Sequence, residues 1–457
     1  MGSTTTRPTP LLDALRSSRT HARGKTAVGP AFHSFLTIAA CLVPVGVCWY
    51  LGSPGADHTP TSPELAPMFQ YQSVDFTQAD LVAFIVVLAV FVRALIKGFH
   101  SLPRVVVFPF VLFFFSTALS TAFGIDKVHG VAALLQELEF MGVAWAFSLL
   151  TDAKAFLRII HFILAIFLFE SVIAIWQFIL GAAMPTGTFV VHQQYAFYTS
   201  FAAAMAFALL SNETGPKKRI YTIILAVLLV GSLLGQERAT WLSFVVGTSA
   251  VVWFSGKNRK RLLIGFGVTV LGAVLLVATV PRLAEMTVAR FAEAETDTPR
   301  QNSLLSRLIL WKVAYDMFTE NPVLGIGPKA YQFVVSRHAS VAELQGNSRA
   351  DPHNVWIGTL AEQGIIGFAT YVAFCVGVFK LAIVPLRKRS VVGLPRSLCL
   401  VYVAYFFFWL TMSYPFFQKG AGHIDFLLIG LMAPLYKNLT SGNRPSRAPA
   451  LSTAGSY

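Results

Sequence analysis

Long apolar stretches separated by short polar connections run through most of the chain. A helix needs about 20 mostly apolar residues to cross a membrane, and about 12 stretches approach or reach that length. They are Phe32–Leu51, Leu81–Phe99, Val105–Phe123, Val131–Leu150, Phe156–Leu180, Val190–Leu210, Ile220–Leu234, Trp241–Phe254, Leu262–Val280, Trp356–Val384, Leu398–Met412 and Phe426–Tyr436. The pattern predicts an all-α fold, a polytopic transmembrane bundle of about 12 spans.

Polar segments divide this chain. Residues 1–28 and 438–457 are rich in Ser, Thr, Pro and Arg, and we expect them to be disordered. Spans 1–9 occupy residues 29–280, and spans 10–12 occupy residues 355–437. Residues 281–354 form the longest polar stretch, and long loops without structure are uncommon unless functional. We therefore expect a folded loop subdomain there.

Helical patterns recur inside residues 281–354. Ser303 is a suitable N-cap, and Asn321-Pro322 marks a helix end. Between them, apolar residues with helical spacing are Leu305, Leu308, Ile309 and Val313. Ala330–Arg337 is typical of a second short helix.

Charge placement sets the topology. Charged residues make up 13% of the 457 residues and hydrophobic residues 55%, whereas soluble domains carry about 25% charged residues. The net charge of +14 arises mainly from Lys and Arg between alternate apolar stretches, as the positive-inside rule requires. This places both termini in the cytoplasm and the long loop on the opposite side. The basic excess is then topological, and we expect no nucleic-acid binding.

Metal and cofactor sites are not indicated. The four cysteines lie in apolar stretches without metal-ligand spacing: Cys41, Cys48, Cys375 and Cys399. Glu293, Glu295 and Asp297 alternate in the loop, where a solvated strip is favoured over converging cation ligands. We expect no cofactor and no metal-ligating residues.

The first candidate for chemistry is Gly235-Gln236-Glu237-Arg238, between two short apolar stretches. Because these stretches are near the minimum for spanning, we expect the tetrapeptide to dip below the membrane surface, where charge is costly and usually functional. The Arg238 guanidinium is a planar donor suited to phosphate oxygens. The alternative is a tight turn with Glu237 and Arg238 reaching the interface.

The second candidate is Arg307 with Trp311, four residues apart on one helix face. An Arg beside an aromatic ring suits sugar or phosphate binding. An amphipathic helix resting on the membrane, with Trp at the interface, is the alternative.

The third candidate is Asp351-Pro352-His353-Asn354, ahead of a long helix from Val355. Asp at the N-cap and Pro at N1 predict a helix start with His353 in the first turn. There the helix dipole favours neutral imidazole, which is suited to act as a general base. The alternative is one more polar residue at a helix entrance.

Three glutamates interrupt apolar sequence: Glu137, Glu139 and Glu170. They pair with arginines or bond neighbouring helices, and the sequence leaves both options open.

At these candidates the chain resembles the O-antigen ligase and polymerase family of bacterial envelope glycosyltransferases. The blocks that carry the resemblance are Gly231 to Trp241 with Arg238, Ser306-Arg307 to Trp311 followed by Asn321-Pro-Val-Leu-Gly-Ile-Gly327, and His353-Asn354 with Leu360, Glu362, Gly364 and Gly367. Many members have Ser-Arg where this chain has Glu237-Arg238. The blocks cover residues 231–367, while the earlier spans match only in hydropathy.

The resemblance implies a Gram-negative inner-membrane ligase with its active site facing the periplasm. It would move O-antigen from undecaprenyl diphosphate to a sugar hydroxyl on lipid A–core. His353 would be the general base, and Arg238 and Arg307 would stabilise the diphosphate. The residues expected to bind substrate are Gln236, Glu237, Trp311 and Asn354.

Other functions stay open at this point. An O-antigen polymerase or a protein O-oligosaccharyltransferase would use similar motifs, although protein-glycosylating relatives are usually longer after the last span. A transporter of lipid-linked glycans would be expected to show internal repeats, and the sequence has no evident repeat. These considerations favour the ligase.

Overall fold

The computed structural model describes residues 29–48, 69–71, 74–76, 78–151, 153–182, 185–189, 192–213, 216–254, 259–292, 303–339, 352–387, 402 and 421–440. The helices within these ranges are α1 Pro30–Cys48, α2 Gln78–Lys97, α3 Arg104–Phe123, α4 Lys127–Phe147, α5 Ala153–Ile179, α6 His192–Asn212, α7 Lys217–Leu234, α8 Arg238–Phe254, α9 Arg259–Thr279, α10 Pro281–Ala292, α11 Ser303–Glu320, α12 Tyr331–His338, α13 Val355–Arg387 and α14 Ala421–Thr440. Predictions for the two chain ends, for Glu293, Glu295 and Asp297, and for Asp351 lie outside the described residues.

The described chain is helical apart from one antiparallel hairpin, which the all-α prediction missed. Strand β1 is Phe69–Tyr71 and strand β2 is Val74–Phe76, with Phe69 opposite Phe76. Two strands of three residues each fall below the length at which alternating polarity is recognisable in a sequence.

Several helices have the length and composition of membrane spans. Within the described residues, six helices meet both requirements: Gln78–Lys97, Arg104–Phe123, Lys127–Phe147, Ala155–Ile179, Leu262–Thr279 and Val355–Pro385. The protein is therefore a multi-pass membrane protein. Helices α6, α7, α8 and α14 also coincide with predicted spans, whereas the predicted span Leu398–Met412 lies outside the described residues apart from Tyr402. The total of about 12 spans stays a prediction.

Helix α6 lies at the centre of one half of the bundle. Every residue from Tyr195 to Leu209 is buried, and the helix packs against α5, α7 and α8. Its small residues are Ala202, Ala203, Ala204, Ala206 and Ala208. Small side chains let neighbouring membrane helices approach closely, which explains how three helices surround α6.

Helix α9 has the opposite environment. Its apolar window Leu262–Thr279 contains no buried residue. Mean hydropathy alone does not distinguish α9 from a core helix, but packing does, because the described part of the protein buries no residue of this window.

The loop between α9 and α13 has its own hydrophobic cluster, separate from the main core. Helices α11 and α12 contribute most of it, and Ala361 of α13 completes it. Helix α11 begins at Ser303 and ends before Asn321, and α12 runs over Tyr331–His338, so both predicted loop helices are confirmed. The side of the membrane on which they lie stays a prediction.

Helix α13 is broken at Gly364, which has φ 63° and ψ −165°. A continuous helix would pair the Ile365 amide with the Ala361 carbonyl and the Ile366 amide with the Glu362 carbonyl. The break frees these four backbone groups within an apolar helix. Unpaired, such groups cost several kcal/mol in a membrane.

The loop at residues 321–327 satisfies all four groups. Ile326 N donates to Ala361 O (3.1 Å), Gly327 N to Glu362 O (2.8 Å), Ile365 N to Pro322 O (2.9 Å) and Ile366 N to Val323 O (3.4 Å). A Cβ at Gly325 would lie 2.3 Å from the Glu362 carbonyl carbon, and one at Gly364 would lie 2.4 Å from that of Val323. Two glycines therefore allow the loop backbone to lock into the helix break.

Gly364→Ala is expected to destabilise the protein. The backbone conformation of Gly364 is essentially reserved for glycine and costs other residues about 1–3 kcal/mol, and the collision with Val323 adds to this. Thermal unfolding in detergent measures the loss. Gly265→Ala on lipid-facing α9, where a Cβ meets no atom within 4 Å, is the control and should leave the midpoint unchanged or slightly raised. Equal midpoints for the two variants would contradict the interpretation.

Candidate active site

The turn between α7 and α8 carries the first candidate residues. Gln236 adopts a left-handed conformation (φ 52°) and is 4% exposed, and its Nε2 donates to Leu233 O (2.9 Å). Trp241 Nε1 donates to Ser232 O (3.0 Å) across the turn. Arg238 is the first residue of α8, so a rigid turn fixes where its side chain starts.

Helix α6 supports this turn from behind. Ser200 Oγ donates to Thr240 O (2.8 Å), and a Cβ at Gly235 would lie 2.6 Å from the Cβ of Ala196. The turn therefore packs beside the first turns of α6. Glu237 and Arg238 stay partly exposed, which leaves their charged groups accessible to a ligand.

Helix α10 contacts Arg238 through one aromatic ring. The Arg238 guanidinium carbon lies 5.9 Å from the centre of the Phe291 ring, near the end of α10. At the other end, Arg282 holds α10 to the end of α5: Nη1 donates to Phe178 O and Nη2 to Ala182 O, both at 2.7 Å. Sequence reasoning missed Arg282. The sequence feature that could have pointed to Arg282 is its position as a basic residue at the start of a polar segment on the predicted outer side.

Trp311 of the second candidate pair contacts the third candidate segment. Arg307 and Trp311 lie four residues apart on α11, and both are partly buried. Trp311 Nε1 donates to Pro352 O (2.9 Å). This hydrogen bond ties the loop helix to the residue directly before His353. Trp311 therefore makes a structural contact that belongs to neither of its two predicted roles, sugar binding and membrane anchoring.

His353 lies outside the helix that the sequence placed it in. Asn354 Oδ1 accepts from the Trp356 amide (3.0 Å) and the Ile357 amide (3.2 Å), so Asn354 is the N-cap and α13 begins at Val355. The predicted N1 position of Pro352 and first-turn position of His353 are wrong. Asn is as good a cap as Asp, and here it directly precedes the apolar run.

The conformation of His353 is itself unusual. Its φ of 46° is uncommon for a residue other than glycine, although His adopts it more readily than most. Such conformations cluster at functional sites. The side chain of Asn354 serves the helix through Oδ1, so its predicted substrate contact would have to use Nδ2.

The contacts form two groups of candidate residues. Arg238 lies with Phe291 of α10, and Trp311 lies with Pro352 ahead of His353. Glu362 links α12 to the helix break, because its Oε1 accepts from the Tyr331 amide at the start of α12 (3.1 Å).

The intramembrane glutamates bond neighbouring segments. The Thr117 hydroxyl lies 2.8 Å from Glu137 Oε1 and 3.2 Å from Gln363 Oε1, beside the break in α13. Glu170 accepts from the Thr188 amide (2.7 Å) and hydroxyl (2.8 Å). Glu139 lies 2.9 Å from His423. Of the two options that the sequence left open, these contacts support bonding between helices.

One residue near this network was also missed. Lys329 Nζ donates to Gln136 Oε1 (2.6 Å), next to Glu137 on α4. Lys329 follows Gly327-Pro328, and nothing in that local sequence indicates a partner almost two hundred residues earlier.

Residues 223–372 match the family model described as O-antigen ligase. Through this segment the chain is similar to the O-antigen ligase family. The matched segment begins in α7 and ends in α13, so it contains Arg238, Arg307 and His353 together with the helix break. No curated protein sequence matches the chain. This similarity supports, in broad terms, a membrane glycosyltransferase of the ligase and polymerase type that uses lipid-linked glycans.

Asn354→Ala is expected to lower stability by about 1 kcal/mol, because it removes the cap of α13. Asn354→Asp keeps an acceptor at the same position and should restore the thermal midpoint. The two variants therefore separate capping from any contact of the amide nitrogen with substrate. If Asn354→Asp is as unstable as Asn354→Ala, the capping role is refuted.

Proposed function

We propose that the protein is an O-antigen ligase, an inverting glycosyltransferase that requires no metal in its reaction. Its donor is O-antigen polysaccharide on undecaprenyl diphosphate, and its acceptor is a sugar hydroxyl of lipid A–core. The observation that carries the proposal is the family match over one segment that contains all three candidate groups. The Trp311 hydrogen bond to Pro352 supports it, since it joins two of them.

The proposed reaction is a single displacement. The acceptor oxygen attacks the anomeric carbon while the bond from that carbon to the diphosphate oxygen breaks, which inverts the configuration. The hydroxyl proton passes to the His353 imidazole, the proposed general base. Arg238 and Arg307 stabilise the negative charge that develops on the departing undecaprenyl diphosphate. Gln236, Glu237, Trp311 and Asn354 contribute to substrate binding.

The proposed orientation follows from charge. Both termini lie in the cytoplasm, and α10, α11 and α12 lie on the periplasmic face of a Gram-negative inner membrane. On that side the enzyme meets a lipid-borne donor and needs no nucleotide sugar.

His353→Ala is expected to lower transfer by about 10²–10⁴-fold, the usual contribution of a general base. Purified protein in detergent would receive lipid-linked glycan and lipid A–core, with a chelator present, and product would be quantified by gel. Unchanged transfer in His353→Ala would refute the base assignment. Elongation of the donor glycan without an acceptor would indicate a polymerase, transfer to protein an oligosaccharyltransferase, and relocation of intact donor across vesicles a transporter.

Arg238→Ala is expected to lower transfer by about 10²–10³-fold, as for loss of one electrostatic stabiliser. Arg238→Lys keeps the charge but loses the planar fork, so intermediate activity is expected. Arg219→Ala, an exposed site at the far end of α7, is the charge-matched control and should retain activity. Equal losses in Arg219→Ala and Arg238→Ala would show a general charge effect instead.

A further inference from the structure

Three helices each bring one metal-ligating side chain to a common point away from the break in α13. Asp80 is in the first turn of α2, Glu139 is in the second half of α4, and His423 is near the start of α14. One ligand atom from each lies within 4.8 Å of the other two. Glu139 is two residues from Glu137, so the two side chains leave α4 about 200° apart. The cluster therefore lies on a different face of α4 from the Glu137 network.

The spacing of the cluster matches a coordination shell. His423 Nε2 lies 2.9 Å from Glu139 Oε1 and 3.3 Å from Asp80 Oδ1. Ligands about 2.0–2.1 Å from a tetrahedral ion lie about 3.3 Å from one another. The imidazole nitrogen thus already lies at about this distance from both carboxylates, and the third separation, between Asp80 and Glu139, is at most 4.8 Å.

The surroundings hold the ligands in place. His423 is fully buried, Asp80 is 6% exposed and the Glu139 side chain is 22% exposed. The Phe140 ring meets the His423 ring edge-on, with 4.8 Å between the ring centres. Gly422 also packs against the Phe140 ring, because a Cβ at this position would lie 2.4 Å from Phe140 Cε2. Close packing of Phe140 against the start of α14 sets the direction of the imidazole.

We propose that Asp80, Glu139 and His423 bind one divalent transition-metal ion that links α2, α4 and α14. One imidazole and two carboxylates are a ligand set suited to Zn²⁺ and its first-row neighbours. Two carboxylates balance the charge of a divalent ion, which lowers the cost of burying it. The ion acts on helix packing and takes no part in glycan transfer.

The test measures metal binding directly, so its result does not depend on the proposed ligase activity. Full-length protein is stripped with a chelator and titrated with Zn²⁺, and metal content is measured by mass spectrometry. We expect one Zn²⁺ per chain and a rise in thermal midpoint on Zn²⁺ addition. Co²⁺, held by the three side chains with a water molecule as the fourth ligand, should give the visible absorption of a four-coordinate nitrogen–oxygen site. Transfer activity, assayed well below the unfolding temperature, should persist in stripped protein.

His423→Gln, Glu139→Gln and Asp80→Asn should each weaken Zn²⁺ binding at least about tenfold, since even groups outside the ligand set contribute that much. Glu137→Gln, which removes a buried carboxylate from the same helix, should bind Zn²⁺ as the unaltered protein does. The proposal is overturned if unaltered protein takes up no stoichiometric Zn²⁺, or if His423→Gln binds it equally well. Either result would leave the cluster as a buried ion pair between His423 and the two acids.

Discussion

Four backbone hydrogen bonds between the 321–327 loop and the break in α13 determine how the loop region is built. They replace the two helical bonds lost at Gly364 and leave no freed group unpaired there. The loop extends the same connection further, because Ile326 O accepts from the Ile125 amide at the start of the α3–α4 turn (2.8 Å). The arrangement connects the end of α11 both to the break in α13 and to the α3–α4 turn.

The candidate site inherits its rigidity from this connection. Helix α11 ends where the 321–327 loop begins, and the first segment of α13 ends at Gly364. Trp311 near the middle of α11 then meets Pro352 ahead of α13. Both helical segments next to this contact are held at the same break. The position of His353 therefore depends on backbone groups about ten residues away. A displacement at the break would be transmitted to His353 through two short helical segments.

Local sequence patterns were enough for the helices and for the chemistry of the candidates. Ser303 and Asn321-Pro322 marked α11 within one residue, because caps and prolines act locally. The start of α13 was misplaced, because Asp351 and Asn354 are both good caps and only the packed structure selects between them. The motifs that carry the resemblance include Gly325 and Gly364. They do not reveal that each glycine makes room for the backbone of the opposite segment. Contacts such as Lys329 with Gln136, or His423 with Glu139, join residues far apart in the chain. No periodicity encodes such pairs.

Helices α6 and α9 impose opposite demands on substitution. Each is an apolar helix of about twenty residues, and the two are hard to tell apart by composition. Every side chain from Tyr195 to Leu209 on α6 fits against protein, so a change of volume there must be compensated by a neighbour. The described residues bury no side chain in the apolar window of α9, so one apolar residue serves there nearly as well as another. Over evolutionary time α6 should therefore change slowly and in concert with α5, α7 and α8, while α9 drifts freely within the limits of hydrophobicity.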